Sequence, residues 1–99
     1  MAVKIDPARD EVRLLKRATD WRGRRVLEIG CGDGRLTLRL AGLNPRSIEA
    51  SDPDTKLIRA ARRNLPARFA KKISYHTGKA GKLKYPADAF EIVVFSWVL

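Results

Sequence analysis

In Val26-Leu27-Glu28-Ile29-Gly30-Cys31-Gly32-Asp33-Gly34, a short run of strand-forming residues passes directly into three glycines spaced by two. Leu36, Leu40 and Leu43 follow at helical spacing. The stretch therefore predicts a strand over Arg25-Val26-Leu27-Glu28-Ile29, a tight glycine turn, and a helix. A glycine-rich turn between strand and helix allows a ligand to approach the backbone closely. The dinucleotide fingerprint places glycines at its first, third and sixth positions, here Gly30, Gly32 and Arg35. Arg35 breaks it, because the third glycine serves close helix–strand packing. The phosphate loop fails as well, since no Gly-Lys-Ser/Thr follows. Glu28 and Asp33 put carboxylates on both flanks of the turn, which repels a pyrophosphate and suits a ligand with positive charge.

Working outward, Asp6-Pro7 reads as a helix start, with Ala8, Val12, Leu15 and Thr19 on one face. Gly42, Asn44 and Pro45 end the helix after the glycine turn. Ser47 to Ser51 form a second strand. Asp52-Pro53-Asp54 opens the next helix, with Leu57, Ile58, Ala61 and Leu65 inward and Pro66 closing it. Lys72 to Thr77 is a third strand, Gly78 to Asp88 a loop, and Phe90 to Val98 an apolar fourth strand of the kind buried on both faces. Alternating strands and helices imply an α/β fold: a Rossmann-like parallel sheet with flanking helices. Ligands of such sheets bind beyond the carboxyl ends of the strands, where Glu28, the glycine turn and Asp52 all fall.

The chain has 99 residues, enough for a single domain, read as an N-terminal helix over 1–20 and a core over 25–99. Its 44% apolar and 32% charged residues fit a folded domain rather than a disordered tail. Lysine and arginine exceed the acids by ten, which suggests an anionic partner, nucleic acid above all. No acid occurs between Asp54 and Asp88, where Lys56, Arg59, Arg62, Arg63, Arg68, Lys71, Lys72, Lys79, Lys82 and Lys84 accumulate. One cysteine, Cys31, excludes a disulfide framework and a multi-cysteine metal site. The one histidine, His76, has no ligand set around it and reads as structural or surface-exposed. The longest apolar stretch is too short to cross a bilayer, and the first residues lack a signal-peptide core, so a cytoplasmic protein is expected.

The motif from Val26 to Gly34 closely resembles the first motif of the class I S-adenosylmethionine-dependent methyltransferases. Their cofactor carries a sulfonium and an ammonium and no phosphate, in agreement with the flanking acids. The resemblance implies that Gly30, Cys31, Gly32 and Gly34 wrap the methionine and ribose part and that Glu28 helps to order the loop. It implies that Asp52, followed by Pro53, accepts the ribose hydroxyls, although the residue's bland reading is a helix cap, for which Asp54 is also available. After the third strand the family commonly has Gly-Asp-Ala, and here Gly78-Lys79-Ala80 stands in its place. Ala80 can present its backbone N–H to adenine, whereas the Lys79 ammonium has only donors and cannot accept from the adenine amino group. Ser96 would border the methionine part. The likeness extends through Leu83–Val94 into the fourth strand and names no catalytic residue.

The family's full domain has seven strands ordered 3-2-1-4-5-7-6, and this sequence stops after the fourth, so the expected order is 3-2-1-4. Three consequences are expected. The domain is incomplete, the lone chain is weakly active or inactive, and the fourth strand is a bare edge open to self-association or to a complementing chain. The methyl acceptor is a small molecule or a nucleic acid, with a non-catalytic basic nucleic-acid-binding module as the alternative function.

Overall fold

The structure is a computed structural model that describes residues 2–4, 12–78 and 88–96. Its elements are β1 (Ala2–Lys4), α1 (Val12–Ala18), β2 (Arg25–Ile29), α2 (Arg35–Ala41), β3 (Ser47–Asp52), α3 (Thr55–Arg63), a 3-10 turn (Ala67–Phe69), β4 (Ile73–Thr77) and β5 (Ile92–Phe95). The five strands form one parallel sheet in the order β1-β5-β2-β3-β4. The four expected strands are β2, β3, β4 and β5, and they take the expected 3-2-1-4 order.

One row across the sheet explains the core. The pairings Val26↔Ile48, Ile48↔Ile73 and Val26↔Ile92 place four β-branched residues side by side, all at most 3% exposed. Leu36, Leu40 and Ala41 of α2, with Ile58 and Ala61 of α3, close over that face. Leu15 of α1 joins the same cluster beside Trp21, whose indole Nε1 donates to the Leu15 carbonyl at 2.6 Å. The opposite face is more polar. There Glu49 and His76 meet at 2.5 Å, so Glu49 lies on the face opposite the core cluster and His76 is a surface residue, as the sequence suggests. At the sheet's other end Arg25 pairs with Glu91 at 2.5 Å and ties the starts of β2 and β5 together.

Local signals account for the helix limits. Asp54 caps α3, its carboxylate accepting from the backbone N–H groups of Lys56 and Leu57. Gly42 terminates α2, and Asn44 adopts a left-handed φ of 64° just after it.

Three expectations change. The first twenty residues do not form a single helix: Ala2–Lys4 is a strand, α1 covers Val12–Ala18 among the described residues, and Asp6, Pro7 and Ala8 lie outside the described residues. The second correction concerns the fourth expected strand. Its outer edge is not bare, because Ala2–Lys4 pairs in parallel with Val93–Phe95. With that edge hydrogen-bonded within the chain, the stated ground for self-association or a complementing chain at that edge is removed. The third is Leu57, which is 38% exposed rather than inward, since Ile58 and Ala61 already fill the sheet-facing side of α3.

Candidate cofactor site

At the carboxyl ends of β2 and β3 the glycine turn is held from beneath. The Ser51 carbonyl accepts from the N–H groups of both Gly30 (2.8 Å) and Cys31 (3.0 Å), and Gly34 N–H donates back to Cys31 (3.1 Å). Gly30, Gly32 and Gly34 have φ of 84°, 57° and 89°, all in the left-handed region that side chains disfavour. Space decides between the last two. A Cβ on Gly32 would meet nothing within 4 Å, so that position is open to a ligand. A Cβ on Gly34 would lie 2.5 Å from the Tyr75 hydroxyl and 3.3 Å from the Ala61 Cβ. Gly34 thus supplies the close packing that the dinucleotide fingerprint assigns to its third glycine, one position earlier than Arg35.

Asp52, the last residue of β3, is 8% exposed and tethers the turn. Its Oδ2 accepts from Gly32 N–H at 3.0 Å and its Oδ1 from Asp54 N–H at 2.9 Å. The helix cap itself is Asp54, so Asp52 retains acceptor capacity toward a ligand. Glu28 behaves differently from the role implied by resemblance. It is fully buried, and its carboxyl accepts from the Thr37 hydroxyl at 2.5 Å and from the Ser96 hydroxyl. It therefore joins α2 and the end of β5 to β2, while Asp52 and Ser51 order the turn. Burial pushes the Glu28 carboxyl above the ordinary carboxylate range, against the pull of its two hydroxyl donors. Burial likewise raises the Cys31 thiol, with Glu28 and Asp52 adding to the effect, so Cys31 is no nucleophile at neutral pH.

A pocket of about 310 Å³ opens above these groups. Gly30, Cys31, Gly32, Asp33, Arg35, Leu36, Asp52, Leu57 and Ser96 line it. Of the expected site residues, Gly30, Cys31, Gly32, Asp52 and Ser96 meet here. Glu28 sits directly behind, Gly34 packs away from the opening, and Pro53 is exposed outside the lining. Lys79 and Ala80 lie outside the described residues. Leu36 and Leu57 form an apolar wall that the motifs do not single out, and Asp33 engages the Arg35 guanidinium at 3.0 Å. Thr37 also escapes the motifs. A lone hydroxyl among the inward leucines of α2 is the signal that marks it.

A larger concavity, about 560 Å³, lies near the amino ends of β2 and β3, between Lys16, Trp21, Arg22 and Leu43. It lies where α/β sheets do not bind their ligands. Among the described residues no cluster of His, Cys, Asp or Glu could hold a metal ion, and no helix is long and apolar enough to cross a membrane.

A methyltransferase domain family matches residues 26–99, three-quarters of the sequence and the whole of the site just described. The chain belongs to the methyltransferase domain family. Solved structures agree with this placement of the methyltransferase domain. An S-adenosylmethionine-dependent methyltransferase from Mesorhizobium loti superposes with a TM-score of 0.75 at 23% identity, over 87% of this chain and 38% of that one. A dimethyladenosine transferase from Plasmodium falciparum gives 0.74 at 22% identity, over 97% and 34%. Phosphoethanolamine N-methyltransferase 1 of Haemonchus contortus, solved with phosphoethanolamine and S-adenosylhomocysteine, gives 0.72 at 26% identity, over 86% and 18%. This methyltransferase domain thus spans well under half of each of these chains. No curated protein matches it. Nothing in these likenesses supports a non-catalytic basic module.

Proposed function

We propose that this chain is the cofactor-binding part of an S-adenosylmethionine-dependent methyltransferase. One observation carries the reading: among the described residues the charged groups that line the pocket are Asp33, Asp52 and one guanidinium, Arg35, which is paired with Asp33. Such a lining repels phosphates and accepts a ligand whose charge is positive. Asp52 would hold the ribose hydroxyls while keeping the turn in place, and the open side of Gly32 would lie against the methionine part. Leu36 and Leu57 offer an apolar wall to a flat ring, and Ser96 closes the side toward β5. Bound there, the cofactor supplies a methyl group on a sulfonium for in-line displacement. The protein's share is to fix that group's position relative to the acceptor. Titration calorimetry with S-adenosylhomocysteine tests the reading, one ligand per chain being the expected result.

The acceptor side is supported by charge. Lys56, Arg59 and Arg63 recur at i, i+3 and i+7 along the exposed side of α3, opposite Ile58 and Ala61. Among the described residues none of the three has a carboxylate within ion-pair distance. Leu57, next to Lys56, already lines the pocket, so the stripe runs away from its rim. The stripe favours a nucleic acid as the acceptor. An anionic membrane fits less well, since Leu57 is the one exposed large hydrophobic among the described residues. Binding of a labelled RNA oligonucleotide should fall steeply with salt. Neutralising the three cations together should flatten the slope of log K against log salt by about 2. An unchanged slope, or no binding at low salt, would remove nucleic acid from consideration.

A further inference from the structure

The sheet register sets Glu28 in a row with Tyr75, Ala50 and Val94, which puts a carboxyl group where the fold otherwise buries apolar side chains. The residue is 0% exposed. Its contacts are two neutral hydroxyls, Thr37 on Oε1 and Ser96 on Oε2. The titratable groups facing it are Asp52 from β3, Tyr75 from β4 and Cys31 from the glycine turn. Each of these is neutral or negative, and among the described residues no cation reaches the carboxyl. A carboxylate removed from water needs a counter-charge, and two hydroxyls beside a second carboxylate do not provide one. Burial favours the neutral form in the same direction.

The pocket side offers a place for the missing charge. Ser96 lines the pocket and donates to Glu28, and Cys31 lines it from the turn. A cation seated against that wall lies one side chain away from the buried carboxyl. We infer that Glu28 carries a proton while the pocket is empty and gives it up when a positively charged ligand binds. The O–H bond of the carboxyl breaks, the proton passes to bulk water, and the carboxylate left behind is balanced by the ligand's charge. Nothing is oxidised or reduced. Both forms keep the local network intact, since the protonated carboxyl donates to one hydroxyl where the ionised one accepts from both. Thr37 and Ser96 are then positioning residues: they hold the carboxyl against the pocket wall and help to set how readily it ionises.

The inference rests on the proposed cofactor, and the same titration separates the two. Calorimetry at neutral pH in two buffers of contrasting ionisation enthalpy measures the protons released on binding. S-adenosylmethionine should release most of a proton, and S-adenosylhomocysteine, which keeps the ammonium and lacks the sulfonium, less. Release should decline as pH rises through the empty-pocket pKa of Glu28. Glu28→Gln, neutral and of the same shape, should bind with no release, whereas Asp52→Asn should retain it. If Glu28→Gln does not fold, Thr37→Val serves instead: losing a donor raises the empty-pocket pKa, so release should persist to higher pH. Binding without proton release, or equal release from Glu28→Gln, overturns the inference and leaves the proposed cofactor standing. No binding of either compound overturns both.

Discussion

Gly34→Ala should lower the thermal unfolding midpoint by roughly 12–24 °C, the largest single-residue effect on stability expected at the site. Two costs add at this position. The backbone has φ 89°, where a side chain costs about 1–2 kcal/mol. The new methyl would also lie 2.5 Å from the Tyr75 hydroxyl, and overpacking of this kind costs about 1–3 kcal/mol. Tyr75 is 5% exposed and belongs to the core cluster, so its ring cannot swing aside into solvent. A total of about 3 kcal/mol, at about 4–8 °C per kcal/mol for a domain of this size, gives the range stated. Gly32→Ala is the internal control. Its φ of 57° is also left-handed, but a Cβ there meets nothing within 4 Å. It should lose about a third as much stability while interfering with any ligand held against the turn. Thermal unfolding followed by circular dichroism distinguishes the two, and equal losses would refute the packing role given to Gly34.

Asp52→Ala should weaken binding of S-adenosylhomocysteine by about tenfold to a hundredfold. The carboxylate accepts from the N–H groups of Gly32 and Asp54, and the residue lines the pocket with acceptor capacity to spare. Hydrogen bonds to a charged group are worth about 1.5–3 kcal/mol each, which converts to that range even if only one is lost toward the ligand. Untethering Gly32 adds to the loss, because the turn must then be ordered at the moment of binding. Asp52→Asn, which keeps one acceptor oxygen, should fall between. A dissociation constant within twofold of the wild type in Asp52→Ala would show that Asp52 serves the turn alone.

Much of the fold is legible in the sequence itself. Periodicity and glycine placement locate β2 to β5, α2 and α3, because each is a local pattern: leucines at i and i+4, Asp54 at a cap, Gly42 at a stop. The strand β1 is not legible, since Ala2-Val3-Lys4 is too short for a period and its partner, Val93–Phe95, is remote in the chain. Without β1, the outer edge of β5 reads as bare. At the site, the glycines and Asp52 stand out by their spacing, whereas the resemblance gives Glu28 the loop-ordering role that Asp52 and Ser51 perform. The reason is register. Glu28 faces the same side as Val26 and so points into the core, which becomes clear only when the sheet and α2 are assembled over it. Leu57 differs for a related reason: the apolar pattern of α3 offers more inward positions than a short helix needs, and Ile58 and Ala61 suffice.

The most direct measurement is a calorimetric titration of this chain with S-adenosylhomocysteine and, separately, with NAD. A pocket whose described lining pairs Arg35 with Asp33 and leaves Asp52 as the excess negative charge should bind S-adenosylhomocysteine at one site per chain and leave NAD unbound. Binding of NAD in its place, or of neither compound, would contradict the account.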